Sequence, residues 1–315
     1  MKIVIYDSWG GKFTRPLQKH WEELGHTVIF NPTWEEMADA DIIYFEPMDN
    51  GIVTASTENK PHKGKIFVKA IDIDIWSNHH AGVKWEYVDG LITIANHMTE
   101  KLMREVKLPE NVKHKQIQYG INLDEFKLKD YSKSDKNSIN LAYVTGANRI
   151  WDVKRFDIAL WLLKDAIRFR PEQNYKLHVL GTYSSHAQYN DYCEYMIESL
   201  GLQNDVIWQR DRVESVNEWL EDKDMLILTS TKEAFSFATG EAMAKGIIPV
   251  INNFRGAKDI WGEYVCETYY DMLDKVINPA QYWKPLEYRK FIEDNYNEKF
   301  YFQAMDDFMG ITKIN

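Results

Sequence analysis

The chain has 315 residues, 44% of them hydrophobic and 14% aromatic, which is enough apolar material for two folded domains and argues against disorder. Its formal net charge of −10 works against binding nucleic acid or an anionic membrane unless positive charge is gathered locally. With two cysteines, Cys193 and Cys266, and no CxxC pair, a disulfide framework or a zinc site is not expected, and a reducing cytoplasm is the simplest setting.

Short β-rich runs alternate with helical patterns along the chain, the signature of α/β architecture with parallel sheets. The first predicted strand is Lys2–Tyr6, a start that does not read as a signal peptide. It runs into the turn Asp7-Ser-Trp-Gly10-Gly11. A helix follows with Phe13, Leu17, Trp21 and Leu24 on one face, ending at Gly25. Thr27–Phe30, Ile42–Phe45, Lys65–Ala70 and Gly90–Ile94 read as further strands, then a helix over Met98–Val106 and a strand over Lys115–Tyr119. The lysine-rich stretch Lys127–Ser138 lacks apolar periodicity and reads as a linker between domains.

The alternation then restarts. Strands are expected at Asn140–Thr145, Lys176–Leu180, Val206–Gln209, Met225–Leu228 and Ile248–Asn252. Helices are expected at Phe156–Phe169, Tyr189–Leu200 and Val213–Leu220, with a last helical stretch over Pro285–Met309. The expected domains are therefore 1–130, 139–284 and a closing helix over 285–315. No apolar run approaches membrane-spanning length.

Several segments carry chemistry. Gly10 and Gly11 stand at the end of the first strand, where a doubly wound sheet opens its ligand crevice and glycine lets backbone approach a sugar or phosphate. The segment is not a G-x-G-x-x-G fingerprint, which disfavours NAD. In the second half, Gly146, Arg149 and Lys154 with Arg155 occupy the corresponding position. Asp72 and Asp74 follow a strand and fall on one side if the chain there is extended; His79 and His80 come next, with no neighbour at a diagnostic metal-ligand spacing. Trp208 reads as a core residue, and Gly120 with Phe126 as a turn and an anchor.

The densest signal is Glu233-Ala-Phe-Ser-Phe-Ala-Thr-Gly-Glu241-Ala-Met-Ala-Lys-Gly-Ile-Ile-Pro-Val250. Ser236 can cap a helix whose first turn holds Phe237, Ala238 and Thr239, and Lys245-Gly246 suits its C-terminal end. The first-turn N–H groups, backed by the helix dipole, would face a pyrophosphate. Glu233 and Glu241, one before the helix and one within it, could flank the same ligand.

This motif resembles the retaining nucleotide-sugar glycosyltransferases of the GT-B class related to glycogen and sucrose synthases, whose pattern is roughly E-x-F-G-x-x-x-x-E-A-M-A-x-G-x-P-V. Ser236 replaces the glycine, and one extra residue precedes the proline. The resemblance implies two Rossmann-like domains facing each other across a cleft. It gives Glu233 to the donor sugar, Glu241 to the ribose, and Arg149 and Lys154 to the diphosphate. It places the acceptor side near Asp72 and Asp74, which join Glu233 as catalytic candidates, and near His79 and His80.

The implied activity is retaining, metal-independent transfer of a hexose from a UDP- or GDP-linked sugar, as co-substrate and without further cofactor, to an acceptor hydroxyl. The acceptor is left open among a small molecule, a glycan and modified DNA. Phage-type glycosyltransferases acting on hydroxymethylated pyrimidines share the architecture, and Lys60, Lys63, Lys65, Lys101, Arg104, Lys107 and Lys115 could form a basic face. A non-catalytic partner subunit that binds nucleotide-sugars and a GT-B epimerase are the readings of other classes.

Overall fold

The computed structural model describes residues 1–57, 63–131, 138–146, 152–181, 187–209 and 213–314. The chain forms two compact units, Met1–Gly120 with Glu298–Asn315, and Ile121–Asn297. Among the described residues, each unit holds one six-stranded parallel sheet with helices between its strands.

In the first unit the strands are β1 (Lys2–Tyr6), β2 (Thr27–Phe30), β3 (Ile42–Phe45), β4 (Lys65–Ala70), β5 (Gly90–Thr93) and β6 (Lys113–Gln116). Their order is β2-β1-β3-β4-β5-β6, so the connection reverses direction between β1 and β3. The central strands are apolar throughout, as a sheet covered on both faces requires: Ile3, Val4, Ile5, Ile43, Tyr44 and Phe45 are all fully buried. Helix Arg15–Glu23 starts with Pro16 in its first turn and buries Leu17 and Trp21. Each such burial contributes about 1.5–3 kcal/mol. The Trp21 indole N–H and the His20 ring both bond Asp306 at 2.8 Å, which ties the last helix, Glu298–Met309, to this unit.

The second unit contains β7 (Ile139–Gly146), β8 (Tyr175–Gly181), β9 (Val206–Gln209), β10 (Met225–Leu228), β11 (Ile248–Asn252) and β12 (Val265–Cys266). The order is β12-β11-β10-β7-β8-β9, with the reversal between β7 and β10. In open α/β sheets that reversal leaves a crevice at the carboxyl ends of the two strands, because their following helices go to opposite faces. The loops after β7 and β10 are therefore where a ligand is expected.

Several expectations need correction. Asp72 and Asp74 do not lie on extended chain: Asp72–Ser77 is a helix, so residues two apart point to different faces. The edge strand β6 is the wholly exposed Lys113–Gln116 and not Lys115–Tyr119, whose apolar Ile117 and Tyr119 lie beyond it in the core. The final stretch is two helices, Pro285–Asn295 and Glu298–Met309, broken where Tyr296 gives its carbonyl to the Ile121 N–H at 2.7 Å and Asn297 bridges to Ile121.

The start of the lysine-rich stretch is packed and belongs to the second unit. Lys129 is 4% exposed, its N–H bonds the Lys245 carbonyl at 3.2 Å, and its ammonium bonds the Lys223 carbonyl. Tyr131 closes on the same Lys245 carbonyl at 2.9 Å. Residues 132–137 lie outside the described residues. No helix among the described residues is long and apolar enough to cross a membrane.

Candidate active site

The crest of the second sheet brings two distant charged residues together. Val153 and Lys154 lie in a short 3-10 turn after β7, just ahead of helix Phe156–Phe169. Glu233 follows β10 by five residues. Three bonds fasten the two loops, and a fourth, from Tyr143, holds the first loop to its own strand. Tyr143 donates its hydroxyl to the Lys154 carbonyl at 2.6 Å, and Thr229 donates to the carbonyls of Lys154 at 2.7 Å and Arg155 at 2.9 Å. The Thr231 N–H bonds the Val153 carbonyl at 2.8 Å. Asn252, at the end of β11, supports the same loop by donating to the Ser230 carbonyl at 3.0 Å.

On this platform the Lys154 ammonium meets Glu233 Oε1 in a short ion pair, and the Ser230 hydroxyl donates to the same oxygen at 2.7 Å. The side chains are 22% and 12% exposed, so both are largely desolvated and still reachable from outside. Charge placed this way interacts more strongly with a ligand than it would in bulk water. Arg155 has a left-handed backbone (φ 50°) and turns its guanidinium onto Asp157 with bonds of 3.0, 3.3 and 2.9 Å, so its charge is already matched. Burial pushes the Asp157 carboxyl up, but the bonds from Arg155 and Tyr189 outweigh it and leave it below its usual range. Arg149 lies outside the described residues.

The capped helix forms as the motif predicts, over Phe237–Ala244. Ser236 is its N-cap: its oxygen accepts from the Thr239 N–H at 3.4 Å and from the Thr239 hydroxyl at 2.9 Å. Its φ of −98° is ordinary for any residue, so serine stands there without strain. Thr239, expected at the ligand, is instead fully buried and turned into this cap. Phe237 and Ala238 are half-buried at the start of the helix, and Glu241 is half-buried within it. At the far end, Lys245 is 1% exposed and pairs with Glu221 and Asn217, while Gly246 adopts φ 80° where a Cβ would meet the Tyr131 hydroxyl.

In the first unit the charged groups of the corresponding crest are matched internally, while Gly10 is exposed with open space around it. Gly10 and Gly11 have φ of 82° and 88°, and a Cβ on Gly11 would meet Arg15 and Phe30. Asp7 is buried, with its carboxylate taken by the Trp9 N–H at 2.6 Å and the Thr14 hydroxyl at 2.5 Å. After β3, the carboxylate of buried Glu46 accepts the hydroxyls of Tyr44 and Tyr119. Lys69, fully buried, lies 3.4 Å from the Tyr119 ring centre and 4.5 Å from that of Tyr301, and burial lowers its pKa to about 8.

Asp74 is 1% exposed and acts as a helix cap, accepting from the Ile71 N–H at 2.9 Å and the Met48 N–H at 2.8 Å. Burial raises its pKa to about 8. Asp72, in the same first turn of the helix, is half-buried. His80 is buried against Glu105 at 3.0 Å, and His79 is half-buried beside Ser77 at 2.8 Å. Of the acceptor-side candidates, Asp72 and His79 thus remain within reach of a ligand, and Asp74 and His80 do not.

Two of the lysines of the expected basic face are already matched, Lys63 with Asp39 at 3.1 Å and Lys101 with Glu105 at 2.6 Å; Lys60 is outside the described residues. Among the described residues no group of three or more His, Cys, Asp or Glu side chains could hold a metal ion.

Two doubly wound parallel units, each with its own switch point, give the chain the GT-B fold. Residues 133–275 match the family model described as "Glycosyl transferases group 1", so the protein is a glycosyltransferase that carries this domain in its second half. The fold is similar over 98% of the chain to HepE from Anabaena in complex with UDP-glucose (16% identity, 99% of that chain, TM-score 0.77). It is also similar to a glycosyltransferase from Rickettsia africae ESF-5 (14% identity, 98% of this chain and 97% of that one, TM-score 0.71). The lipopolysaccharide outer core galactosyltransferase WaaB, in its apo form, gives a TM-score of 0.67 at 14% identity, with 98% of each chain covered. At such identities the likeness defines the fold. No curated protein matches the chain significantly.

Sequence reasoning missed the residues that build the platform. Tyr143, Thr229 and Ser230 carry no motif, although the hydroxyl run Thr229-Ser230-Thr231 directly after an apolar strand was a visible signal.

Proposed function

We propose that the enzyme transfers a hexose from a UDP-linked sugar, with GDP as the alternative nucleotide, to an acceptor hydroxyl with retention of configuration. The observation that carries this reading is the meeting of Lys154 and Glu233 at the β7/β10 switch point, beside the start of helix Phe237–Ala244. Lys154, with Arg149, holds the diphosphate, and the N-terminal turn at Phe237 and Ala238 adds its dipole. Glu233 positions the sugar through its hydroxyls, and Glu241 binds the ribose. Positive charge fixed beside the leaving diphosphate is most valuable as the bond to the anomeric carbon breaks and negative charge develops there, which removes the need for a metal.

The acceptor oxygen forms its bond to the anomeric carbon on the face the diphosphate leaves. The hydroxyl proton passes to the departing phosphate oxygen. UDP heads the candidates because HepE from Anabaena, similar in fold, binds UDP-glucose. The test is a thermal-shift screen with UDP, GDP, ADP and TDP and their common sugars. Stabilisation by UDP or GDP, reduced in Lys154→Ala, supports the reading; no shift with any nucleotide refutes it.

A further inference from the structure

Both bonds to Glu233 fall on one oxygen. Oε1 accepts from the Lys154 ammonium and from Ser230, whereas Oε2 has no hydrogen bond among the described residues. The two donors differ in freedom. Ser230 is 1% exposed, and its backbone is held by Asn252. Lys154 has its backbone carbonyl fixed by Tyr143 and Thr229, but its ammonium rides on a flexible four-carbon stem. Glu233 is the sole partner of that ammonium among the described residues. A carboxylate therefore already holds the ammonium that a diphosphate would have to bind. Two anions sharing one ammonium in a largely desolvated site repel each other.

We propose that the Lys154–Glu233 pair is a latch that a nucleotide diphosphate opens. In the empty site Glu233 competes internally for Lys154. The arriving diphosphate takes the ammonium, and Glu233 stays in place on Ser230 alone, with its carboxylate open to the sugar hydroxyls. The sugar-positioning group is thus released only when the diphosphate is seated, and Ser230 is the positioning residue that keeps it in register. This inference rests on the donor site proposed above. Its consequence is quantitative: the apparent Kd for nucleotide is the intrinsic Kd divided by the fraction of molecules with Lys154 unlatched. Removing the internal competitor then tightens binding of UDP, a ligand with no sugar for Glu233 to touch.

The experiment is calorimetric titration of the full chain with UDP, for wild type, Glu233→Gln, Lys154→Ala, the double variant and Ser230→Ala. Glu233→Gln is expected to bind UDP roughly 3–10-fold more tightly than wild type, and the gain is expected to vanish in the Lys154→Ala background. Ser230→Ala is expected to lower kcat for transfer while leaving UDP affinity within about twofold, the split a positioning residue gives. Glu233→Asp provides a second reading should the glutamine variant fail to fold: one methylene shorter, it strains the reach to Lys154 and is likewise expected to bind UDP more tightly than wild type. If Lys154→Ala weakens UDP binding but Glu233→Gln leaves it unchanged or weaker, Lys154 holds both anions together; the latch is overturned and the donor site stands. If wild type and Glu233→Gln bind none of UDP, GDP, ADP and TDP, the donor site and the latch fall together.

Discussion

The crests of the two sheets occupy the same topological position and handle charge in opposite ways. In the first unit the groups beyond β1, β3 and β4 are satisfied internally: Asp7 by Thr14, Glu46 by Tyr44 and Tyr119, Asp74 by two backbone N–H groups. In the second unit the loops beyond β7 and β10 are tied by backbone-directed bonds, and the ionic side chains Lys154 and Glu233 still reach solvent. Switch-point topology supplies the crevice in both. Chemistry is indicated where the carbonyls and hydroxyls do the structural work and leave charge available. Where charge caps helices and fills the core, the role is stability.

The sharpest way to break that contrast is to remove one charge from each crest. Glu233→Ala is expected to lower sugar transfer by about 10²–10³-fold with an unchanged melting temperature, by the scale of losing one positioned electrostatic group. Unchanged turnover would place the sugar elsewhere. Glu46→Ala is expected to act on stability, lowering it by about 3–5 kcal/mol in denaturant titrations, because two buried hydroxyls lose their acceptor and buried Lys69 its nearby anion. UDP binding to the folded fraction is expected to persist.

Asp74 sharpens the comparison through pH. Burial, with the charges of Asp72 and Asp49, raises its pKa to about 8 against the opposing backbone N–H bonds. The folded state then binds the proton more tightly than the unfolded chain. Its stabilising contribution is complete below pH 4 and is lost as pH rises towards 8. Asp74→Asn keeps an acceptor for both N–H groups and loses the titration. Its melting temperature relative to wild type is expected to rise between pH 5 and pH 8, and a flat difference would show that Asp74 stays ionised. The smallest effect is expected at Ser236. Ser236→Ala removes the helix cap at a cost of about 1 kcal/mol, whereas Ser236→Gly costs a few tenths, as thermal melts can check.

The two halves were unequally legible in the sequence. The parallel α/β alternation, ten of the strands and the capped helix at Ser236 followed from period, turn residues and cap chemistry, all local signals. The Glu233 motif was readable for the same reason. Its partner Lys154 stood in a segment of altered spacing, and the bond between them spans 79 residues, so only the fold brings them together. The errors came from tertiary context. Lys129 looked like a linker residue because its charge is matched by Asp224, at 3.9 Å, and the Lys223 carbonyl, both remote in sequence. The helix at Asp72–Ser77 was hidden because its cap comes from Asp74, within a segment that alternates polar and apolar residues as a strand does.

Lys154 and Glu233 together form the proposed donor site. A crystal structure of the protein soaked with UDP tests this most directly. The diphosphate is expected at the β7/β10 crest, with Lys154 Nζ within hydrogen-bond distance of a phosphate oxygen and detached from Glu233. UDP bound elsewhere, with the Lys154–Glu233 pair intact, would contradict it.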